Sequence, residues 1–178
     1  MKKLTSLEKN VYLAEAGLIA AIYVIVSLLT SVIGMTYGPV QFRLAECLYI
    51  LFLSTPAMVP GVTLGCIITN FMSPYGAIDI AIGGLASLLA GFLAYKFRNK
   101  KVKNIPLISM IFPVVVNSLL VGAEIALMQS DIDVSLILFL KTVAEVAVSE
   151  VVSMALGYFL YTAIDMKKIL GKDKSDVN

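Results

Sequence analysis

Residues 96–103 read KFRNKKVK, five cations in eight positions, set between the apolar runs 77–95 and 106–128. Each run is close to the roughly 20 residues a helix needs to cross the hydrocarbon of a bilayer, so the basic loop joins two spanning helices. Working outward, further apolar stretches lie at 11–33, 42–55, 57–72 and 134–164, which makes six. Two more basic groups bracket the set: Lys2, Lys3 and Lys9 before the first stretch, and Lys167, Lys168, Lys172 and Lys174 after the last. Together the three groups hold twelve of the fourteen basic residues. With six spans all three fall on one side, which the positive-inside rule makes cytoplasmic, and both termini lie there. The expected fold is an all-α membrane protein, a six-transmembrane-helix bundle forming a single domain over 1–171. The polar tail 172–178 is expected to be disordered.

Composition agrees with this reading. Of 178 residues, 59% are hydrophobic and 15% charged, and the mean hydropathy is +0.91, against roughly 45–50% apolar and about 25% charged in a soluble domain. There is no histidine, which excludes histidine-dependent catalysis and removes the commonest metal ligand. Cys47 and Cys66 are too few for a disulfide framework or a zinc site. No G-x-x-x-x-G-K-[ST] loop occurs, so ATP used in any transport cycle is hydrolysed on another chain. Topology accounts for the basic loop, so no nucleic-acid partner is inferred. The first stretch is too long for a cleaved signal peptide. Stretches 42–55 and 57–72 meet at Ser54-Thr55-Pro56, with Pro60 and Gly61 close behind, and read as a tight hairpin of short or broken helices. The last stretch exceeds a bilayer's thickness and must tilt or project. No internal repeat aligns.

The charges left over fall on the outer side of this topology. Arg43 and Glu46 open span two, Asp79 opens span four, Glu124 lies near the outer end of span five, and Lys141 with Glu145 occupies the outer half of span six. Glu150 sits nearer mid-membrane, and Asn70 and Asn117 add amides on spans three and five. An ionised side chain in hydrocarbon costs about 3 kcal/mol or more, so such groups face a cavity or one another. Pairing explains some of them: Arg43 with Glu46 one turn on, Lys141 with Glu145 at i, i+4. Two cations cannot neutralise five acids, and the surplus points to a polar pocket open to the outside with a ligand rich in hydrogen-bond donors. A guanine-like edge offers adjacent N–H and NH2 donors to one carboxylate, and an attached ammonium suits a second. Tyr37, Phe42, Phe71 and Tyr75 could stack on a flat ring or anchor at the interface.

Small residues recur at helix-packing spacing. Gly61-xxx-Gly65-xxx-Thr69 and Gly83-xxx-Ser87-xxx-Gly91 read as packing inside the bundle. On span one, Ala16-xxx-Ala20 and Gly17-xxx-Ala21 leave packing and docking to another membrane subunit equally open.

Several blocks resemble the queuosine-precursor transporter (QueT) family, substrate-binding S-components of energy-coupling factor (ECF) transporters. They are Gly38-Pro39-Val40-Gln41-Phe42-Arg43 with Glu46, Asn70 with Ser73-Pro74-Tyr75-Gly76 and Asp79, Pro113-Val114-Val115-Val116-Asn117 with Gly122-Ala123-Glu124, and Glu150 with Leu156-Gly157. Ser149 departs from the family pattern, which has glycine before the last glutamate. The resemblance implies an S-component with a pocket near its outer face for a 7-deazaguanine such as preQ1 or preQ0. It also implies docking through the alanine-rich face of helix one, Ala16, Gly17, Ala20 and Ala21, onto a transmembrane T-subunit carrying two cytoplasmic ATPases, in the plasma membrane of a prokaryote.

The residues expected to hold the substrate are Glu46, Asp79, Glu124 and Glu150, with Gln41, Asn70 and Asn117 adding hydrogen bonds, Tyr75 a ring face, and Arg43 orienting Glu46. No cofactor, metal or catalytic residue is expected. The alternatives are an S-component for another small vitamin, an intramembrane hydrolase using paired glutamates, and an ion-conducting or scaffolding bundle.

Overall fold

A computed structural model describes residues 5–32, 43–73, 75–129 and 135–164. Its described residues form helices α1 (Ser6–Val32), a 3₁₀ helix (Leu44–Leu53), α2 (Met58–Asn70), α3 (Ala77–Phe97), α4 (Leu107–Gln129) and α5 (Leu136–Ile164), one for each apolar stretch of the sequence. Successive α-helices pack side by side from α1 to α5, and the 3₁₀ helix packs against α5, α1, α2 and α3. The tail 172–178, Gln41, Tyr37 and Phe42 lie outside the described residues.

The distribution of side chains is inverted relative to a soluble protein. Leu13, Leu18, Ile25 and Leu29 on α1, Phe92 on α3, and Val148, Val151 and Phe159 on α5 are exposed, while Glu46, Asn70, Asp79, Asn117, Glu124 and Glu150 are buried. A surface this apolar over an interior this polar suits lipid rather than water. Three helices, α1, α3 and α4, are long and apolar enough to cross a membrane. The 3₁₀ helix and α2, with 10 and 13 residues, rise only about 20 Å each at 2.0 and 1.5 Å per residue, short of the ~30 Å hydrocarbon. They form the expected short hairpin. Thr55 Oγ1 accepts from the Ala57 amide at 3.1 Å to hold its turn.

The 3₁₀ winding matters for the interior. At three residues per turn, positions three apart stack in one row, and Glu46, Tyr49 and Phe52 are all completely buried. At the roughly 100° per residue of an α-helix, Phe52 would be rotated well away from Glu46. Around this row lie Tyr23, Met58, Val62, Cys66, Ala90 and Met154, the main hydrophobic core.

Close approach depends on glycine at two points. A Cβ on Gly65 would stand 2.6 Å from Tyr23 Cβ, and one on Gly157 would run into the Cys47 carbonyl. Gly65 thus lets α2 sit directly on Tyr23, and Gly157 lets α5 lie against the 3₁₀ backbone. The small-residue series on α2 and α3 is buried throughout, as internal packing requires. On α1 the two pairs separate: Ala16 and Ala20 face inward, and Gly17 and Ala21 face outward.

Candidate functional site

Helix direction alone gathers the polar residues. The N-terminal ends of the 3₁₀ helix and α3 meet the C-terminal ends of α2 and α4, so Arg43, Glu46, Asn70, Asp79 and Glu124 reach one end of the bundle. Glu150 and Asn117, from the middles of α5 and α4, complete the group from below.

Arg43 is the hub. Its guanidinium lies 3.9 Å from Glu46 Oε1 and 3.8 Å from Asp79 Oδ1. Both ion pairs are longer than a hydrogen bond, so the arginine balances charge without saturating either acid. Its backbone is clamped by α5: the Arg43 amide donates to Ser149 Oγ at 3.2 Å, and the Ser153 hydroxyl donates to the Arg43 carbonyl at 3.1 Å. Serines one helical turn apart thus fix the hub from one face of α5.

The other members are held individually. The Tyr23 hydroxyl donates to Glu46 Oε1 at 2.8 Å. Asn70 Nδ2 donates to the Asp79 carbonyl at 2.7 Å, tying the end of α2 to the start of α3. Asn117 Nδ2 donates to Glu150 Oε1 at 2.8 Å, and Pro113, one turn earlier, breaks the hydrogen-bond ladder of α4.

What remains unpaired defines the chemistry. Glu46 Oε2, Asn117 Oδ1, Glu150 Oε2 and both carboxylate oxygens of Glu124, together with the hydroxyls of Tyr49 and Ser109, are buried with no hydrogen-bond partner among the described residues, so acceptors outnumber donors. Glu124 stands beside Asp79, a second carboxyl group, so at most one shared proton lies between them. Four acids surround one arginine, and a buried acceptor left unpaired costs about 1–3 kcal/mol. The arrangement favours organic N–H donors and positive charge.

Some expected members do not join. Lys141 and Glu145 form a 3.9 Å pair, but Lys141 is 67% exposed, so they belong to the outer surface. Phe71 is exposed. Tyr75, half-buried in the turn before α3 with its amide bonded to Ser73 Oγ, stands at the same end of the bundle as the acids. The sequence reading missed Tyr23 and the two α5 serines. The Ser149-xxx-Ser153 spacing beside Glu150 was the available signal for the serines.

Comparison with known proteins fits this geometry. A family model described as QueT transporter matches residues 13–166. The protein named "Queuosine precursor transporter QueT" from Lactococcus lactis subsp. cremoris (strain MG1363) is 33% identical over 81 residues. That match covers 46% of this chain and 47% of the relative, about half of each. No solved structure matches. With long apolar helices and a family match over most of its length, the chain is a multi-pass membrane protein that belongs to the QueT transporter family.

Proposed function

We propose that this chain is the substrate-binding S-component of an ATP-driven ECF importer and takes up a queuosine precursor, a 7-deazaguanine such as preQ1 or preQ0. The observation that carries the reading is the set of buried acceptors without donors on Asn117, Glu124 and Glu150 around a single arginine. Adjacent N–H and NH2 groups on a guanine edge suit a carboxylate in bidentate fashion, and an aminomethyl ammonium suits a second acid. The half-length similarity to a protein named as a queuosine precursor transporter supports the same substrate class.

In this reading the protein is a transport subunit rather than an enzyme. One domain spans the plasma membrane of a prokaryote six times, with both termini cytoplasmic, and the 3₁₀ helix and α2 count as spans two and three. Gln41 and Tyr75 complete the binding residues. The outward Gly17 and Ala21, in a shallow apolar groove with Leu64 and Ile68, present backbone for close helix contact with a T-subunit that carries the two ATPases.

The test is a binding panel on the purified chain: preQ1, preQ0, guanine and flat vitamins without the guanine edge. The account expects the 7-deazaguanines to bind far more tightly than the vitamins, and co-purification with an ATPase complex when all components are expressed together. Preferential binding of another vitamin would redirect the substrate assignment, and no binding by any compound would remove the S-component reading.

A further inference from the structure

At the opposite end of the bundle a cavity of about 210 Å³ opens between the α3–α4 connection and the last turns of α5. At about 30 Å³ per water it has room for several waters or one phosphate group. Its wall includes Arg98, Asn99, Lys101, Asn104, Tyr158 and Tyr161. This site is separate from the acid cluster, and the proposed transport cycle makes no use of it.

The donors are arranged rather than merely abundant. Arg98 stacks on Tyr95, its guanidinium carbon 3.8 Å from the ring centroid, and its Nη1 donates to the Tyr95 carbonyl at 2.9 Å. A guanidinium has five N–H donors, so this anchor leaves most of the fork available. The hydroxyls of Ser54 and Tyr161 are hydrogen-bonded at 3.0 Å, which fixes Tyr161 Oη at the cavity wall. Between Lys101 and Pro106 the chain folds back in a bridge, with Val102 and Ile105 bonded at 2.9 and 3.0 Å. Lys103 and Asn104 hold positive φ of 50° and 67° at its tip, a left-handed backbone unfavourable for a lysine. That tight turn sets Lys101 and Asn104 on the same cavity. No acid pairs with Arg98 or Lys101 among the described residues.

Position selects among anions. The cavity lies where the membrane-length helices α3 and α4 end and begin, at Phe97 and Leu107. That is the level of lipid headgroups, where tyrosines favour the interface and basic residues attract anionic lipid. Exposed Phe159 and Leu160 on the same stretch of α5 give acyl chains a surface to follow.

From this we infer that the basic end of the bundle holds the phosphodiester of an anionic phospholipid between Arg98, Lys101 and the tyrosines of α5. The lipid tethers the α3–α4 connection to α5 at the headgroup level.

The full chain in neutral detergent is titrated with short-chain phosphatidylglycerol, short-chain phosphatidylcholine and inorganic phosphate, with lipid adducts read by native mass spectrometry. Phosphatidylglycerol is expected to bind at least about tenfold more tightly than either comparator. The double variant Arg98→Gln/Lys101→Gln, and to a lesser degree Lys101→Gln alone, should erase that preference. Lys101 is exposed, so its single variant keeps the fold. Lys96→Gln/Lys100→Gln removes the same charge from side chains that lie over the rings of Phe92 and Phe97, and should keep the preference within about twofold. Equal loss in both double variants would mean diffuse surface charge and overturn the site. Inorganic phosphate binding as tightly as the lipid, or no preference over phosphatidylcholine, would overturn the lipid assignment.

Discussion

At one end of the bundle Arg43 stands alone among Glu46, Asp79, Glu124 and Glu150, all of them buried. At the other, Lys96, Arg98 and Lys100 rest over aromatic rings with their charges exposed or half-exposed. The basic end follows a general rule of membrane topology and would look similar in many membrane proteins. The acidic end follows no such rule, because burying several carboxylates with too few cations is unfavourable unless something else compensates them. Burial, more than charge count, separates a solute pocket inside the bundle from a headgroup-level contact at its rim.

Substitutions at the two ends should therefore differ in kind. The largest effect is expected at the hub. Arg43→Gln leaves four buried acids with no cation, and loss of one partner from a buried ionic network costs about 3–5 kcal/mol. Thermal unfolding in detergent should show a large drop in midpoint, and an unchanged midpoint would show that the acids do not depend on Arg43.

Next come the surplus acids. Glu124→Gln removes an acid that has no cation of its own from an over-acidic interior, so the empty protein should keep or gain stability, whereas Asp79→Asn also gives up the 3.8 Å pair with Arg43 and should lose some. Ligand binding should weaken by more than about tenfold, since a charged acceptor for a donor pair is worth roughly 1.5–3 kcal/mol. At Glu124, opposite signs for stability and affinity distinguish a ligand residue from a structural one. A parallel loss of both there would place this acid in the scaffold.

Support for the site should give intermediate effects. Gly65→Ala forces α2 off Tyr23, and overpacking of this kind costs about 1–3 kcal/mol. Tyr23→Phe removes the hydrogen bond to Glu46 at a similar or smaller cost of about 1–3 kcal/mol. If denaturation finds Gly65→Ala neutral, the close contact between α1 and α2 is looser than described. The smallest effect belongs to Lys141→Gln, whose exposed pair with Glu145 is worth about 0–1 kcal/mol and should leave both stability and binding unchanged.

The helices were legible because lipid demands long apolar runs: 77–95 and 106–128 correspond to α3 (Ala77–Phe97) and α4 (Leu107–Gln129) within two residues. The surplus of acids was equally visible, since charges in apolar stretches stand out. The 3₁₀ winding was hidden, because LAECLYILFL is apolar at nearly every position and carries no period to choose between three and 3.6 residues per turn. Without that winding the stacking of Glu46, Tyr49 and Phe52 could not be foreseen. Tyr23 was hidden for another reason: nothing local marks a tyrosine in an apolar helix as the partner of a residue 23 positions later. Lys141 and Glu145 misled because depth along α5 was readable and the direction they face was not.

The central claim is that the buried acceptors at the acidic end exist to meet a donor-rich solute. Calorimetric titration of preQ1 into the purified chain and into its Glu124→Gln variant addresses it most directly. The account predicts saturable one-to-one binding to the native protein and affinity lower by more than about tenfold in the variant, with no loss of thermal stability. Equal affinity in the two proteins, or no heat of binding to either, would contradict it.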